Sequence, residues 1–269
     1  MNLKLLIALF SLTLLVGCST KQDDILKRAS KLSKTDVEGS LILLDKNFQE
    51  SKTVKEKLVF LTAIEKIVKE KLKDSIHYKA VLEKKVLYTT DEAEKNKTLL
   101  TLAQLLIQNF RKEDEALTVL SKIDINKLRS EDRDRYFQSI IISYINSKDD
   151  EQALIEAGEY LKRKDLSPSE NFKIRNLKSR SLVNMKKFDE AEIEYLALIK
   201  TYPNLSKKWN IRSQLGLLLE GQKEYKKAIF HLKKHMEESE NKDPLMEWRI
   251  AELSKRMKQQ PGGKGRLRR

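Results

Sequence analysis

An all-α fold of stacked helix pairs is predicted by three features of this 269-residue chain. Helix breakers are scarce: only 8 glycines and 4 prolines occur, and lysine, glutamate, leucine, isoleucine and alanine dominate, a composition that favours helix. Apolar residues recur at spacings of three and four, which places them on one helical face. A small residue also returns at a near-constant interval, with Ala80, Ala116, Ala153, Ala191 and Ala228 lying 36, 37, 38 and 37 residues apart. A hydrophobic content of 40% over this length suits a soluble fold with a sizeable core.

The elements follow in pairs. Asp23 to Leu32 and Asp36 to Phe48 form the first pair, with Leu41, Leu44 and Phe48 on one stripe and Gly39-Ser40 as the point of close approach. In the second, Val54 to Lys71 and Ser75 to Leu87, the residues Ile64, Ile67 and Val68 should face Ala80 and Leu87. The third, Lys97 to Phe110 and Asp114 to Ile123, sets Leu100, Ala103 and Ile107 against Ala116, Leu120 and Ile123. In the fourth, Asp132 to Asn146 and Asp150 to Arg163, an inward row of Phe137, Ile140 and Tyr144 is expected against Ala153, Ala157 and Tyr160. The fifth is Ser169 to Asn184 and Asp189 to Thr201. The sixth, Leu205 to Leu219 and Glu224 to Glu238, places Leu215-Gly216 against Ala228 and Leu232. Asp243 as N-cap and Pro244 at the first helical position open a last helix. Its stripe is Met246, Ile250, Leu253 and Met257, with Trp248 expected to pack beside it.

The segment from Asn184 to Pro203, NMKKFDEAEIEYLALIKTYP, carries the pattern most fully. It turns at Asn184 to Lys187, runs as a helix bearing Phe188, Ala191, Tyr195 and Leu198 on one face, and stops at Pro203. It resembles the second helix of a tetratricopeptide repeat, with a small residue, an aromatic four later and a closing proline. The observed interval slightly exceeds the 34 residues typical of that repeat and falls short of the roughly 40 to 47 of armadillo-type pairs. The resemblance is strongest over residues 97–240. It implies a right-handed superhelical solenoid of about six tetratricopeptide-like pairs, closed by a C-terminal capping helix.

The ends have other roles. Lys4 and the apolar run Leu5 to Val16 precede Leu15-Val16-Gly17-Cys18. This resembles a bacterial lipobox, in which the cysteine thiol is lipidated and becomes the mature N-terminus. The apolar run is short of the roughly 20 residues that span a bilayer. Cys18 is the only cysteine, so it has no disulfide partner within the chain. The reading is a lipoprotein signal over 1–17, a lipidated anchor and short linker over 18–22, helical repeats over 23–242, a capping helix over 243–260 and a disordered basic tail over 261–269. From Lys255 onward there are seven basic residues and no acidic one, half of the net charge of +14. That tail should attract anionic lipid or polysaccharide. Ser19 after the cysteine implies, by resemblance to the Gram-negative sorting rule, the outer membrane, with the body on its periplasmic side.

Catalytic material is sparse. His231 and His235 share one helix face, but a single ligand pair makes no closed metal site, and His235 sits at an inward repeat position. Acidic pairs such as Asp149-Asp150 and Asp189-Glu190 open second helices, where negative charge complements the helix dipole. No cofactor, metal or catalytic set is predicted. The functional candidates are polar residues on first helices: Arg135 and Gln138 in the fourth pair, and Lys173, Asn176, Arg180 and Asn184 in the fifth. Such a face binds carboxylates or extended peptides through charge-assisted hydrogen bonds.

Together these features resemble the tetratricopeptide lipoproteins of the bacterial envelope, a group including BamD, PilF/PilW, NlpI and the CpoB-type proteins. The TYPN ending is similar to BamD and CpoB repeats, whereas six pairs plus a cap are similar to the pilus lipoprotein. The resemblance implies a non-enzymatic adaptor whose partners are envelope proteins, such as a β-barrel, a secretin or a cell-wall synthesis complex, with no nucleic acid. An alternative is direct binding of lipopolysaccharide or peptidoglycan through the basic surface. A cell-wall enzyme would need a convergent catalytic set that the sequence does not offer.

Overall fold

The structure, a computed structural model, describes residues 21–239 and 243–259, and among these every regular element is helical. The signal 1–17, Cys18 and the tail 261–269 lie outside the described residues. The chain divides between Arg135 and Tyr136 into two compact units.

In the first unit, α1 (residues 21–32) is followed by α2 (Val37–Glu50) and α3 (Val54–Ile67), the last prolonged by a π-helical turn, Val68–Leu72. Next come α4 (Ser75–Tyr88), α5 (Glu92–Leu105) with its own π-helical turn Leu106–Phe110, α6 (Glu113–Leu120) and the start of α7 (Ser130–Asn146). Lys21 and Gln22, assigned by the sequence to the linker, are already helical. The N-termini are capped as short polar residues should cap them: Asp36, Asp74 and Asp91 accept backbone N–H bonds, and Thr53 forms a capping box with Glu56. Leu44, Leu61, Leu82, Leu100, Leu106 and Leu120 are fully buried.

The second unit contains the rest of α7, then α8 (Asp150–Leu161), α9 (Pro168–Asn184), α10 (Phe188–Thr201), the short α11 (Pro203–Lys208), α12 (Ile211–Gly221), α13 (Tyr225–Glu238) and α14 (Pro244–Gln259). Phe172, Ala191, Leu198, Leu215, Ala228 and Leu232 are sealed from solvent in one cluster, which also takes in Ile250 and Leu253 of α14. Among the described residues this makes six helix pairs and a final helix that covers the last of them, as the sequence predicts. Asp243 accepts from the N–H groups of Leu245 and Met246, closing the start of that helix.

The backbone marks the repeat more sharply than the alanines do. Lys73, Arg111, Lys148, Lys186 and Lys223 all adopt left-handed conformations, with φ between 54° and 64°, and each ends the first helix of a pair. At Lys186 the N–H donates to the Val183 carbonyl and the next N–H to Leu182, both at or within 3.0 Å. Lys148 and Lys223 repeat that bonding. These are Schellman turns, which usually take glycine; here a cation stands instead, complementing the negative end of the helix dipole.

Several expectations are corrected. Ala80 is exposed and Leu87 is 81% exposed, because α4 turns Tyr78, Val81, Leu82 and Lys85 inward. The constant small residue therefore begins at Ala116, and 116, 153, 191 and 228 are all fully buried. On α7 the fully buried row is Ile141 and Ile145; Phe137 and Tyr144 pack half-buried against it. The predicted helix from Leu205 to Leu219 is broken at Asn210, whose left-handed φ of 55° asparagine tolerates better than most residues. Trp248 does not pack within the stripe and remains 64% exposed. The inward histidine is His231; His235 is half-exposed.

His231 carries a consequence for pH. Burial chiefly, and then the Arg212 charge, lower its pKa below the ordinary 6.5, and its Nδ1 has no hydrogen-bond partner. The folded state thus holds the ring neutral while the unfolded state protonates it normally. This contribution to stability is therefore fully present above 6.5 and is lost as pH falls from there through the lowered folded-state pKa. Urea unfolding at about pH 7.5 and about pH 5.5 should show this loss reduced in His231→Gln relative to the native chain.

Candidate partner-binding surface

In the first unit, Thr101, Gln104 and Leu105 of α5 and Gln108 of its π-helical turn form one wall of an open cleft of about 350 Å³. Lys69, Lys73, Asp74, Ser75 and Tyr78 from α3, its π-helical turn and α4 form the other, with Arg135 completing the lining. The polar groups are held in place. Arg135 donates through Nη2 to Gln104 Oε1 at 2.6 Å and through Nη1 to Asp132 Oδ1 at 3.0 Å. Asn109 Nδ2 donates to Ser75 Oγ at 2.8 Å. Burial first, and then the neighbouring Glu65 carboxylate, push the Tyr78 phenol up to about 12, so it remains protonated at neutral pH.

Behind this cleft, Lys85 lies 8% exposed. Its ammonium donates to Glu65 Oε2 at 3.0 Å and Glu94 Oε1 at 3.1 Å. Burial alone would lower its pKa; the two carboxylates more than reverse that and hold it above the ordinary value. The three groups join α3, α4 and α5.

In the second unit, α9 carries Lys173, Arg175, Lys178 and Arg180. Arg175 Nε and Lys178 Nζ both donate to Glu194 of α10, at 3.0 and 2.7 Å. Burial would raise that carboxyl, but the Lys178 hydrogen bond and the Arg175 charge keep it below its usual range. These two cations are structural. Lys173 is half-buried and Arg180 exposed, and neither has an ion-pair partner within 4.0 Å among the described residues. Asn176 is half-buried, with its Oδ1 enclosed and without a hydrogen-bond partner.

The six groove residues read from sequence therefore separate. Arg135 lines the cleft of the first unit, while Gln138, Lys173 and Asn176 are half-buried on first helices of the second. Asn184 has a different role: its Nδ2 donates to Asp150 Oδ1 at 3.0 Å, tying the end of α9 to the start of α8. The same tie recurs at Asn109 with Ser75 and at Gln222 with Asp189, so it belongs to repeat stacking. The sequence reading missed Gln104, Gln108, Lys69 and Lys73. The i, i+4 amides of α5 were visible, but the tight-turn lysine could be placed only with the backbone in hand.

These helix pairs and their turns define a tetratricopeptide-repeat fold. Solved structures share it: a tetratricopeptide repeat protein from Parabacteroides merdae is 13% identical, with a TM-score of 0.55, over 87% of this chain and 99% of that one. The assembly chaperone of RpL4 (Acl4) is 14% identical, with a TM-score of 0.51, over 88% and 97%. The APC/C hetero-tetramer Cut9–Hcn1 is 13% identical, with a TM-score of 0.50, over 87% of this chain and 49% of that one. No family model and no curated protein sequence matches the chain.

Proposed function

We propose that this chain is a membrane-anchored adaptor that binds a protein segment on its first helices, with Cys18 as the lipid-bearing residue. The observation that carries this reading is the cleft around Arg135. Arg135 and Asn109 are already fixed by neighbours, so these two lose little side-chain entropy when a polar, extended segment enters. Lys69 and Lys73 against the carboxylate of Asp74, with Arg135 already balanced by Asp132, favour a segment with an excess of acceptors or negative charge. The partner is an envelope protein of the β-barrel, secretin or wall-synthesis kind, and the lipid raises the local concentration of the cleft beside it.

The test is recovery of partners after mild crosslinking in the native cells, with Cys18→Ala and a Gln104→Ala/Arg135→Ala pair as controls. One envelope complex should be recovered, less so from both variants, and Cys18→Ala should leave the membrane fraction. Recovery of wall fragments or lipopolysaccharide alone would instead assign the basic surface to anionic polymers. A chain that stays on the membrane without Cys18 would refute the lipid anchor.

A further inference from the structure

Every second helix of the second unit carries a large apolar residue two positions after its buried alanine. Ala153, Ala191 and Ala228 are fully buried, whereas Ile155, Ile193 and Phe230 are 54%, 67% and 54% exposed. A step of two residues turns a helix by roughly 200°, so these side chains point directly away from the core. The three helices succeed one another in the stack: α9 packs on both α8 and α10, and Lys227 of α13 donates to Glu192 of α10 at 3.2 Å. Leu196, one turn beyond Ile193, is 41% exposed and extends the row. In the first unit the equivalent position is the exposed Thr118 on α6 and Ile42, 62% exposed two positions after the buried Ser40, on α2, so only the second unit carries an apolar residue there on every second helix. Isolated exposed apolar residues are ordinary; three in one register, with Leu196 beside them, form a patch that calls for a cover.

The charges around the row indicate what covers it. Four residues before Ile155 stands Glu151, while the same position before Phe230 holds Lys226; Glu159 and Lys234, four residues after, are each already paired on their own helix, with Lys162 and Glu237. Lys233 adds a further exposed cation beside Phe230. One end of the row is therefore acidic and the other basic at matching heights along the helices. We propose that this face pairs with a second copy of the chain about a twofold axis running along α10. That axis sets Ile193 against Ile193, Ile155 against Phe230 and Glu151 against Lys226, each contact made twice. An axis across the helices would instead oppose α8 to α8 and acid to acid. An anionic bilayer suits the face poorly, because Glu151, Glu159, Asp189 and Glu190 border its α8 and α10 part. Asp189 and Glu190 at the start of α10 would also meet their own copies, which opposes pairing and makes the dimer a weak, concentration-dependent one.

The proposal does not rest on lipid anchoring, so it is tested in the full chain carrying Cys18→Ala, which has no other thiol. Ile193→Cys should form a disulfide-linked dimer under oxidised glutathione, and so should Ile155→Cys with Phe230→Cys in one chain, whereas Ile155→Cys alone should not. Light scattering should show mass rising towards a dimer with concentration. Ile193→Lys should weaken dimerisation about tenfold or more, and the loss caused by Glu151→Lys should be restored by Lys226→Glu. All these positions are exposed, so circular dichroism should report unchanged helicity. A monomer at every concentration, a dimer indifferent to Ile193→Lys, or equal crosslinking through Ile155→Cys alone would overturn the proposal. Sedimentation of the monomer with anionic vesicles, lost in Ile193→Lys, would overturn it in favour of a lipid surface.

Discussion

Phe172→Ala is expected to lower the stability of the second unit by about 4 kcal/mol, the largest loss from any single truncation considered. Phe172 is fully buried. Its ring meets Tyr202 edge-on, with centroids 5.9 Å apart, and Trp209 at 6.1 Å. Those rings hold the connection between α10 and α12, where the helical path is broken at Asn210. Tyr202 is in turn fixed from α9, its hydroxyl donating to Asn171 Oδ1 at 3.0 Å. Removing the ring therefore leaves a cavity of aromatic size at a place where three elements are joined, and little can collapse into it. Chemical unfolding followed by circular dichroism measures the effect. A loss of only about 1 kcal/mol would mean that α11 moves in to fill the space. Because each pair in a repeat array contacts only its neighbours, protection against hydrogen exchange should fall in α9 to α12 and persist in the first unit.

The contrast between that site and the candidate cleft explains what could be read from sequence. Ala116, Ala153, Ala191 and Ala228 announced the stacked pairs because burial of a second helix tolerates only a small residue there, and alanine leaves a compositional mark at a fixed interval. Ala80 did not belong to that set, since Val81 and Leu82 are the residues α4 turns inward, and propensity cannot separate adjacent positions on a short helix. Leu87 and Trp248 were read inward for being apolar, although much of any protein surface is apolar too. The cleft was less legible for a geometric reason. Arg135, Gln104 and Lys73 are separated by 31 residues on each side, and only the packing of α3 to α5 with the start of α7 brings them together. Asn184 reads as a polar residue on a first helix, but its partner Asp150 lies in the previous pair, a relation that emerges only once the repeat register is fixed.

Gly216→Ala is expected to destabilise the second unit by about 2 kcal/mol, opposite in sign to what helix propensity alone requires. Within a helix, alanine is ordinarily favoured over glycine by about 1 kcal/mol. At this position an added Cβ would lie 2.6 Å from Leu232 Cδ2 and 2.7 Å from its Cγ, with the Ala228 carbonyl oxygen at 3.4 Å. Leu232 is fully buried, so its side chain has no space to yield, and the helices α12 and α13 must separate. Overpacking of this kind costs about 1–3 kcal/mol, which outweighs the gain in propensity. A double-mutant cycle isolates the cause: Leu232→Ala removes the obstructing atoms, so Gly216→Ala added to it should be neutral or stabilising. If Gly216→Ala stabilised the chain on its own, the close approach of α12 and α13 would be softer than this packing implies. If the double variant were no better than the sum of its parts, the clash would lie with the Ala228 backbone and not with Leu232.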